Sequence, residues 1–241
     1  MSVSAIGCAL LARLSGFGEV GKKDADAILT VRGEVRNVRR LDDISRAGEA
    51  PKFSVVVLRG FLQRYVTRRD GSRQVHAFYI PTDAPSLETL NVDCLDTSLC
   101  ALVNSTVGII PHAELKALIR ERPNVLDLGW RETLVQGAMF REWLMRNSRL
   151  TADAAMAHLF CEVFVRSRAA GLVDHNSCEL PVTQETLADA LGLTGVHVNR
   201  TLQALRETGL VDHKSGRLFI HDFKRLAGYA DFDPAYLHLR N

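Results

Sequence analysis

The sequence predicts an α+β chain: a β-rich N-terminal half, one long helix, and a compact C-terminal unit of short helices and a hairpin. Three observations predict it. An aspartate–glycine pair, Asp70-Gly71, sits inside the β-branched and aromatic run "KFSVVVLRGFLQRYVTRRDGSRQVHAFYIP". Helical periodicity continues from Asn124 to Asn147. Two short apolar-periodic runs flank a glycine joint in "LADALGLTGVHVNRTLQALRETGL".

From about Ala27 to Ile110 the chain reads as strands. The Asp70-Gly71 pair marks a hairpin, because glycine accepts the positive φ that tight hairpin turns demand. Further strands fit "AILTVRGEVRNV" and "TSLCALVNSTVGIIP", separated by glycine, proline and aspartate. Many short strands at this spacing suggest a sandwich or barrel-like roll. "HAELKALIRERP" is a short helix stopped at Pro123. The Asn124–Asn147 run follows, about 24 residues or roughly 36 Å of helix. Its large apolar residues, Leu128, Leu134, Val135, Ala138 and Trp143, want a second surface, and the same helix of another copy supplies one. A further helix starts near Thr151 and ends at Gly171. The resulting domains are a β-roll with flanking helices over 1–123, a dimerisation helix over 124–148, and a C-terminal unit over 149–241.

In the C-terminal unit Thr183 caps a helix over Gln184–Leu191. Gly192 ends it in the left-handed conformation, and Leu193 plugs the angle. Thr194 then caps a second helix running to about Thr208. On a helical wheel Val198, Thr201, Leu202 and Leu205 fall on the packing side. Val196, Asn199, Arg200, Gln203 and Glu207 fall opposite, led by Gly195, Val196 and His197. Two short helices, a glycine turn and a polar leading face are what a helix-turn-helix needs to enter a major groove. "GLVDHKSGRLFIHD" adds a strand–turn–strand wing with Lys214 and Arg217 at its tip, where phosphate is within reach. From Gly195 to Arg225 six Lys/Arg stand against three Asp/Glu, a local basic footprint.

Composition is that of an ordinary globular chain: 241 residues, 46% hydrophobic, 24% charged, net charge +2. No apolar run is long enough for a membrane span and no signal-peptide pattern stands out, so a cytoplasmic protein is the expectation. Five scattered cysteines, Cys8, Cys94, Cys100, Cys161 and Cys178, hold no CxxC pair and no zinc-type spacing. They read as reduced, buried thiols, with a redox or metal role for Cys94 and Cys100 as the alternative. No P-loop, GxSxG, HExxH or dinucleotide fingerprint is present, so neither an enzyme nor a catalytic residue is expected.

The stretch "LPVTQETLADALGLTGVHVNRTLQALRETGLV" resembles the CRP/FNR family of bacterial transcription regulators, with its T-x-x-x-(I/L)-A-x-x-(L/V)-G-(L/C)-(S/T) run followed by a recognition helix. "RGFLQRYVTRRDGSRQVHAFYIPTDAP" is similar to the family's cyclic-nucleotide-binding-like β-roll, including its hairpin and Pro-x-Asp turn. The likeness covers most of the chain. It implies a homodimer that binds an inverted-repeat operator in double-stranded DNA and recruits or blocks RNA polymerase. Arg200 sits where the family places an arginine that reads guanine, and Arg to G O6/N7 is the commonest specific base contact. The candidate DNA contacts are Thr183, Gln184, Thr194, Gly195, Val196, His197, Asn199, Arg200, Gln203, Lys214 and Arg217.

Two departures matter. The family usually carries glutamate where Val196 stands, and valine offers only apolar contact, for example to a thymine methyl. In members that bind cyclic AMP an Arg-(Ser/Thr) pair holds the phosphate; here that place holds Asp96, Thr97 and Ser98, with no cation expected nearby. Cyclic AMP is therefore not the expected effector. Only Cys8 lies near the N-terminus, so an iron–sulfur cluster is disfavoured, and His76 is read as a packed or surface residue. The segment in the effector position supplies Asp83, Ser86, Leu87, Glu88, Thr97 and Ser98 as pocket candidates. The alternative function is an adaptor that uses the winged helix for protein contacts.

Overall fold

The computed structural model describes residues 3–239. Cα packing divides the chain into two compact units. One takes the chain up to Val66, Phe78–Gly137 and the end from His238; the other takes Thr67–Ala77 and Ala138–Leu237.

The first unit opens with two helices, α1 (Ala5–Ser15) and α2 (Lys22–Leu29). The serine at Ser4 caps α1 by accepting from Gly7 N at 2.9 Å. Seven strands follow along the chain, β5 lying mostly in the second unit: β1 (Glu34–Val38), β2 (Asp43–Ser45), β3 (Phe53–Arg59), β4 (Leu62–Thr67), β5 (Arg73–Tyr79), β6 (Ser98–Ala101) and β7 (Ser105–Pro111). They form two sheets, in the orders β1-β7-β3 and β2-β6-β4-β5. Together they are the expected β-roll. One correction concerns its start. Ala27–Leu29, expected in a strand, closes α2, and the first strand begins at Glu34. The single apolar turn of Ile28 packs against α1 and the roll rather than pairing in a ladder.

Strand β3 shows why its sequence lacks clean alternation. Val55, Val56 and Val57 are all buried, because α1 and a 3-10 turn over Leu87–Asn91 pack on the strand. A strand covered on both faces reads as a continuous apolar run. The close approach of α1 to β7 depends on Gly108, where a Cβ would stand 2.7 Å from Ile6 Cγ1. The hairpin is as expected: Gly71 takes φ +84° between β4 and β5.

After β7 come α3 (His112–Glu121) and the long helix α4 (Pro123–Arg149), 27 residues. Pro123, expected to stop α3, is the first residue of α4, where its missing N–H has no helical partner to lose. Val125 and Leu128 of α4 join the core built on α1 and α3.

In the second unit, α5 (Ala152–Ala169) starts after Thr151 and stops just before Gly171, which takes φ +70°. Strand β8 (Ser177–Glu179), helices α6 (Gln184–Leu191) and α7 (Gly195–Glu207), strands β9 (Val211–Lys214) and β10 (Arg217–Ile220), and α8 (Phe223–Tyr229) complete it. Its sheet runs β8-β10-β9. The hairpin tip Thr67–Ala77 belongs here too, and Gln74 Nε2 donates to the Asp189 carbonyl at 2.8 Å.

A buried polar knot ties the end of α4 to α5. Glu162 accepts from Trp143 Nε1 at 3.1 Å, Tyr236 OH at 2.9 Å and Arg166 Nη1 at 3.3 Å. The Arg146 guanidinium lies 4.2 Å from the Trp143 ring centre, and burial pulls its pKa down to about 10. Burial, reinforced by Arg146, also drives His158 down to about 4, leaving it neutral.

Among the described residues no helix is long and apolar enough to cross a membrane, and no group of His, Cys, Asp or Glu is set to hold a metal ion. The thiols split: Cys100, Cys161 and Cys178 are buried, while Cys8 and Cys94 are exposed, contrary to the reading of all five as buried. Cys100 receives Gln63 Nε2 at 3.4 Å.

Candidate nucleic-acid interface and effector region

Local capping sets the two helices of the motif. Thr183 Oγ1 accepts from Thr186 N at 3.1 Å, and Thr194 Oγ1 accepts from His197 N at 3.3 Å. Both threonines have extended backbone. Gly192 adopts φ +67°, ψ +32°, the left-handed stop, and fixes the angle at which α7 leaves. The inner face of α7 is closed by Val198, Thr201 and Leu205, all buried, with Leu202 half-buried beside them. Its outer face carries Val196, Asn199, Arg200 and Gln203, all exposed; Val196 is 84% exposed.

Arg200 makes no hydrogen bond or ion pair among the described residues, so its five N–H donors face outward unspent. Arg206, one turn and a half further on, is committed: its Nε lies 2.9 Å from Asp212 Oδ1 and anchors α7 to β9. His197 is half-buried; Gly195, Thr183 and Gln184 are exposed.

The wing turns at Ser215 (φ +52°) and Gly216 (φ +72°), the two positive φ values of a type I′ turn. Lys214 pairs in register with Arg217. They are not equivalent. Lys214 is exposed, its Nζ 5.2 Å from the Phe219 ring centre, whereas Arg217 Nη2 donates to Ser177 Oγ at 2.8 Å and is half-buried. Behind the wing, His213 Nε2 lies 2.8 Å from the Leu180 carbonyl, and burial lowers its pKa.

The effector candidates do not form one pocket. Asp83 is buried against Arg13 at 3.0 Å, and Arg13 also holds Glu132 at 2.8 Å. Ser86 Oγ accepts from Val55 N at 2.7 Å. Ser98 Oγ accepts from Ala47 N at 3.0 Å. Leu87 and Glu88 line a cavity. The expectation that no cation stands near Thr97 is corrected. Arg64 of β4 reaches Thr97 Oγ1 at 3.4 Å, and its Nη2 bonds both Glu88 Oε1 and the Pro85 carbonyl. Burial pulls the Arg64 pKa down, but Tyr79 and Glu88 more than offset it and hold the guanidinium charged. The signal was there: Gln63 and Arg64 are polar residues in the middle of a buried strand.

The dimer candidates are also corrected. Leu128, Val135, Ala138 and Trp143 are buried within their own chain. Of the five, only Leu134 is exposed, at 58%. The exposed apolar residues of α4 are Leu126, Trp130, Leu134 and Leu144.

The model of the Crp-like helix-turn-helix domain matches residues 154–229, the stretch that holds α6, α7 and the wing. The transcriptional activator protein FnrL of Cereibacter sphaeroides is 27% identical over 194 residues, 78% of this chain and 76% of that protein. The chain thus carries a Crp-like helix-turn-helix domain and is similar to regulators of the CRP/FNR family. Within that family it is also 27% identical over 165 residues to the nitrogen fixation regulation protein FixK of Azorhizobium caulinodans, 67% of this chain and 64% of that one. FixK2 of Bradyrhizobium japonicum has the same fold: TM-score 0.72, 20% identity, 83% of this chain and 98% of that one. The c-di-GMP responsive regulator CLP of Xanthomonas campestris follows at TM-score 0.65, 14% identity, 84% and 100%. The chain is a DNA-binding transcription regulator of the CRP/FNR type.

Proposed function

We propose that this regulator works as a homodimer whose two α7 helices enter successive major grooves of an inverted-repeat operator. In this reading the sensor spans 1–123, the dimerisation helix 124–148 and the DNA-binding domain 149–241. The observation that carries it is Arg200: a cation without a partner, exposed on a helix whose opposite face is buried. Val196, Asn199 and Gln203 flank it as base readers, and Lys214 meets phosphate. Thr183, Gln184, Thr194 and Gly195 stand exposed at the two helix N-termini, where backbone N–H groups favour phosphate. Leu126, Trp130 and Leu134 recur every four residues as the seam between the paired α4 helices. FnrL is named a transcriptional activator, and by that likeness we place RNA polymerase among the partners, in the cytoplasm.

Arg64 gives no support to a cyclic phosphate, since both its Nη groups are held, by Thr97, Glu88 and the Pro85 carbonyl. The test is selection from random double-stranded DNA, followed by titration of the enriched site against salt. The expected result is an inverted repeat and an affinity that falls steeply with salt, as counterion release requires. Absence of enrichment, with salt-independent binding, moves the reading to the adaptor.

A further inference from the structure

Between α1, the 3-10 turn Leu87–Asn91, α3 and the first turns of α4 lies a cavity of about 270 Å³. That is near the lower end of small-molecule sites, roughly 300–1,000 Å³. Leu14, Leu90 and Leu115 wall it, exposed Trp130 also lines it, and Glu88 is its one ionisable group.

Two observations distinguish this cavity from a packing fault. Gly129 lines it from inside a 27-residue helix, where glycine is destabilising relative to alanine. No close approach demands it: a Cβ there would meet nothing within 4 Å. Gly7 is different, since its Cβ would stand 2.5 Å from the Ile28 carbonyl oxygen. What the missing side chain at Gly129 does provide is space. The second observation is Glu88. Its Oε1 receives Arg64, but Oε2 is buried with no hydrogen-bond partner. A buried acceptor left unpaired is costly; because Glu88 itself lines the cavity, a donor bound there that turns its carboxylate would satisfy it.

We propose that this cavity is the effector site and takes a small, mainly apolar molecule: an aromatic ring system or short alkyl chain bearing one amino or hydroxyl group. The site rests on the regulator reading only for its consequence, not for binding. Leu90 and Glu88 share the 3-10 turn, and Gly129 and Trp130 share α4. A ligand between them therefore links the Arg64–Glu88 pair to the helix that carries the dimer seam.

The test titrates 1-naphthylamine, a two-ring aromatic with one amino group, into the full chain without DNA and follows its emission. The expected result is saturable binding at one site per chain, weakened at least tenfold in Gly129→Leu. The thermal midpoint of that variant should not fall, because leucine is the better helix former and fills empty space. Gly129→Ala, which leaves most of the cavity open, should bind within threefold of wild type. If Gly129→Leu fails to fold, Thr133→Phe fills the same wall one turn along and is read the same way. No saturable binding to wild type, or equal binding to the filled variant, overturns the proposal. With operator DNA added, saturating amine should change affinity at least threefold in wild type and not in Gly129→Leu. Operator affinity unmoved by bound amine overturns the effector role. A chain that binds the amine but no DNA at all would instead overturn the regulator reading and leave the site standing.

Discussion

Replacing Arg200 with alanine removes one guanidinium from the exposed face of α7 and leaves the fold alone. The side chain holds no partner, the inner face of α7 is closed by Val198, Thr201 and Leu205, and alanine is the stronger helix former. Stability should therefore stay within about 0.5 kcal/mol of wild type. Binding should not. A bidentate arginine–guanine pair is worth about 1–3 kcal/mol of discrimination, and a dimer on an inverted repeat makes it twice. The expected loss is about 2–6 kcal/mol, or roughly 30-fold to 10⁴-fold in Kd. A surface ion pair with Glu207 or Asp189 would have been worth under about 1 kcal/mol, and no such pair joins Arg200 to either residue. The assay is fluorescence anisotropy at fixed salt on operators changed one base pair at a time, for both proteins. Wild type should fall sharply when the guanine is replaced, and Arg200→Ala should be indifferent to that base. Identical base preferences in the two proteins would refute the reasoning.

Four other outcomes follow from the same geometry. Lys214→Ala should weaken all sequences alike and make the salt slope shallower by about one for each phosphate that the lysine neutralises, whereas Arg217→Ala, whose guanidinium is held by Ser177, should change the slope less and loosen the wing; titrations across salt separate the two. Leu134→Lys places a charge on an exposed apolar residue and should yield folded monomer in sedimentation, while Val135→Lys, one residue on but buried, should destabilise the chain itself by roughly 3 kcal/mol or more; monomer from neither, or unfolding in both, would contradict the seam. His158 has a folded value of about 4 against an ordinary 6.5, so the unfolded chain takes up its proton first. Stability is then complete above about pH 6.5 and lost towards pH 4, by roughly 3 kcal/mol, and His158→Phe should flatten urea midpoints across that window. Calorimetry with cyclic AMP or cyclic GMP should show no saturable heat at physiological concentrations, because Arg64 is already held; a micromolar Kd would mean that Glu88 gives way.

Much of the DNA-facing unit was legible because its determinants are local. A cap spans four residues, as Thr183 to Thr186 and Thr194 to His197 show. A left-handed stop needs one glycine, Gly192. The wing turn needs two positive φ values at Ser215 and Gly216. The polar and apolar faces of α7 follow from the 3.6-residue period alone; the resemblance to the CRP/FNR family then singled Arg200 out of that polar face. The strands of the roll were legible from composition and turns, but their start was not. The few apolar residues of "AIL" carry no clear period, and the packing of Ile28 against α1 and the roll made them the end of a helix.

By itself the sequence determined the caps and stop of the two motif helices, the two hairpin turns, and which face of α7 points outward. Each of those outcomes is settled by interactions within about one turn of chain. Only the tertiary structure decided which apolar stripe of α4 serves its own chain. Periodicity finds Leu128, Leu134 and Val135 equally apolar; packing against α1 and α3 takes Leu128 inward, Val135 is buried as well, and Leu134 is left out. Only the tertiary structure, too, put Arg64 beside Thr97 and Glu88, residues 33 and 24 positions away. Strand register and the path of a loop set that meeting, and a buried cation stays where the carboxylate and carbonyl that replace its water are waiting.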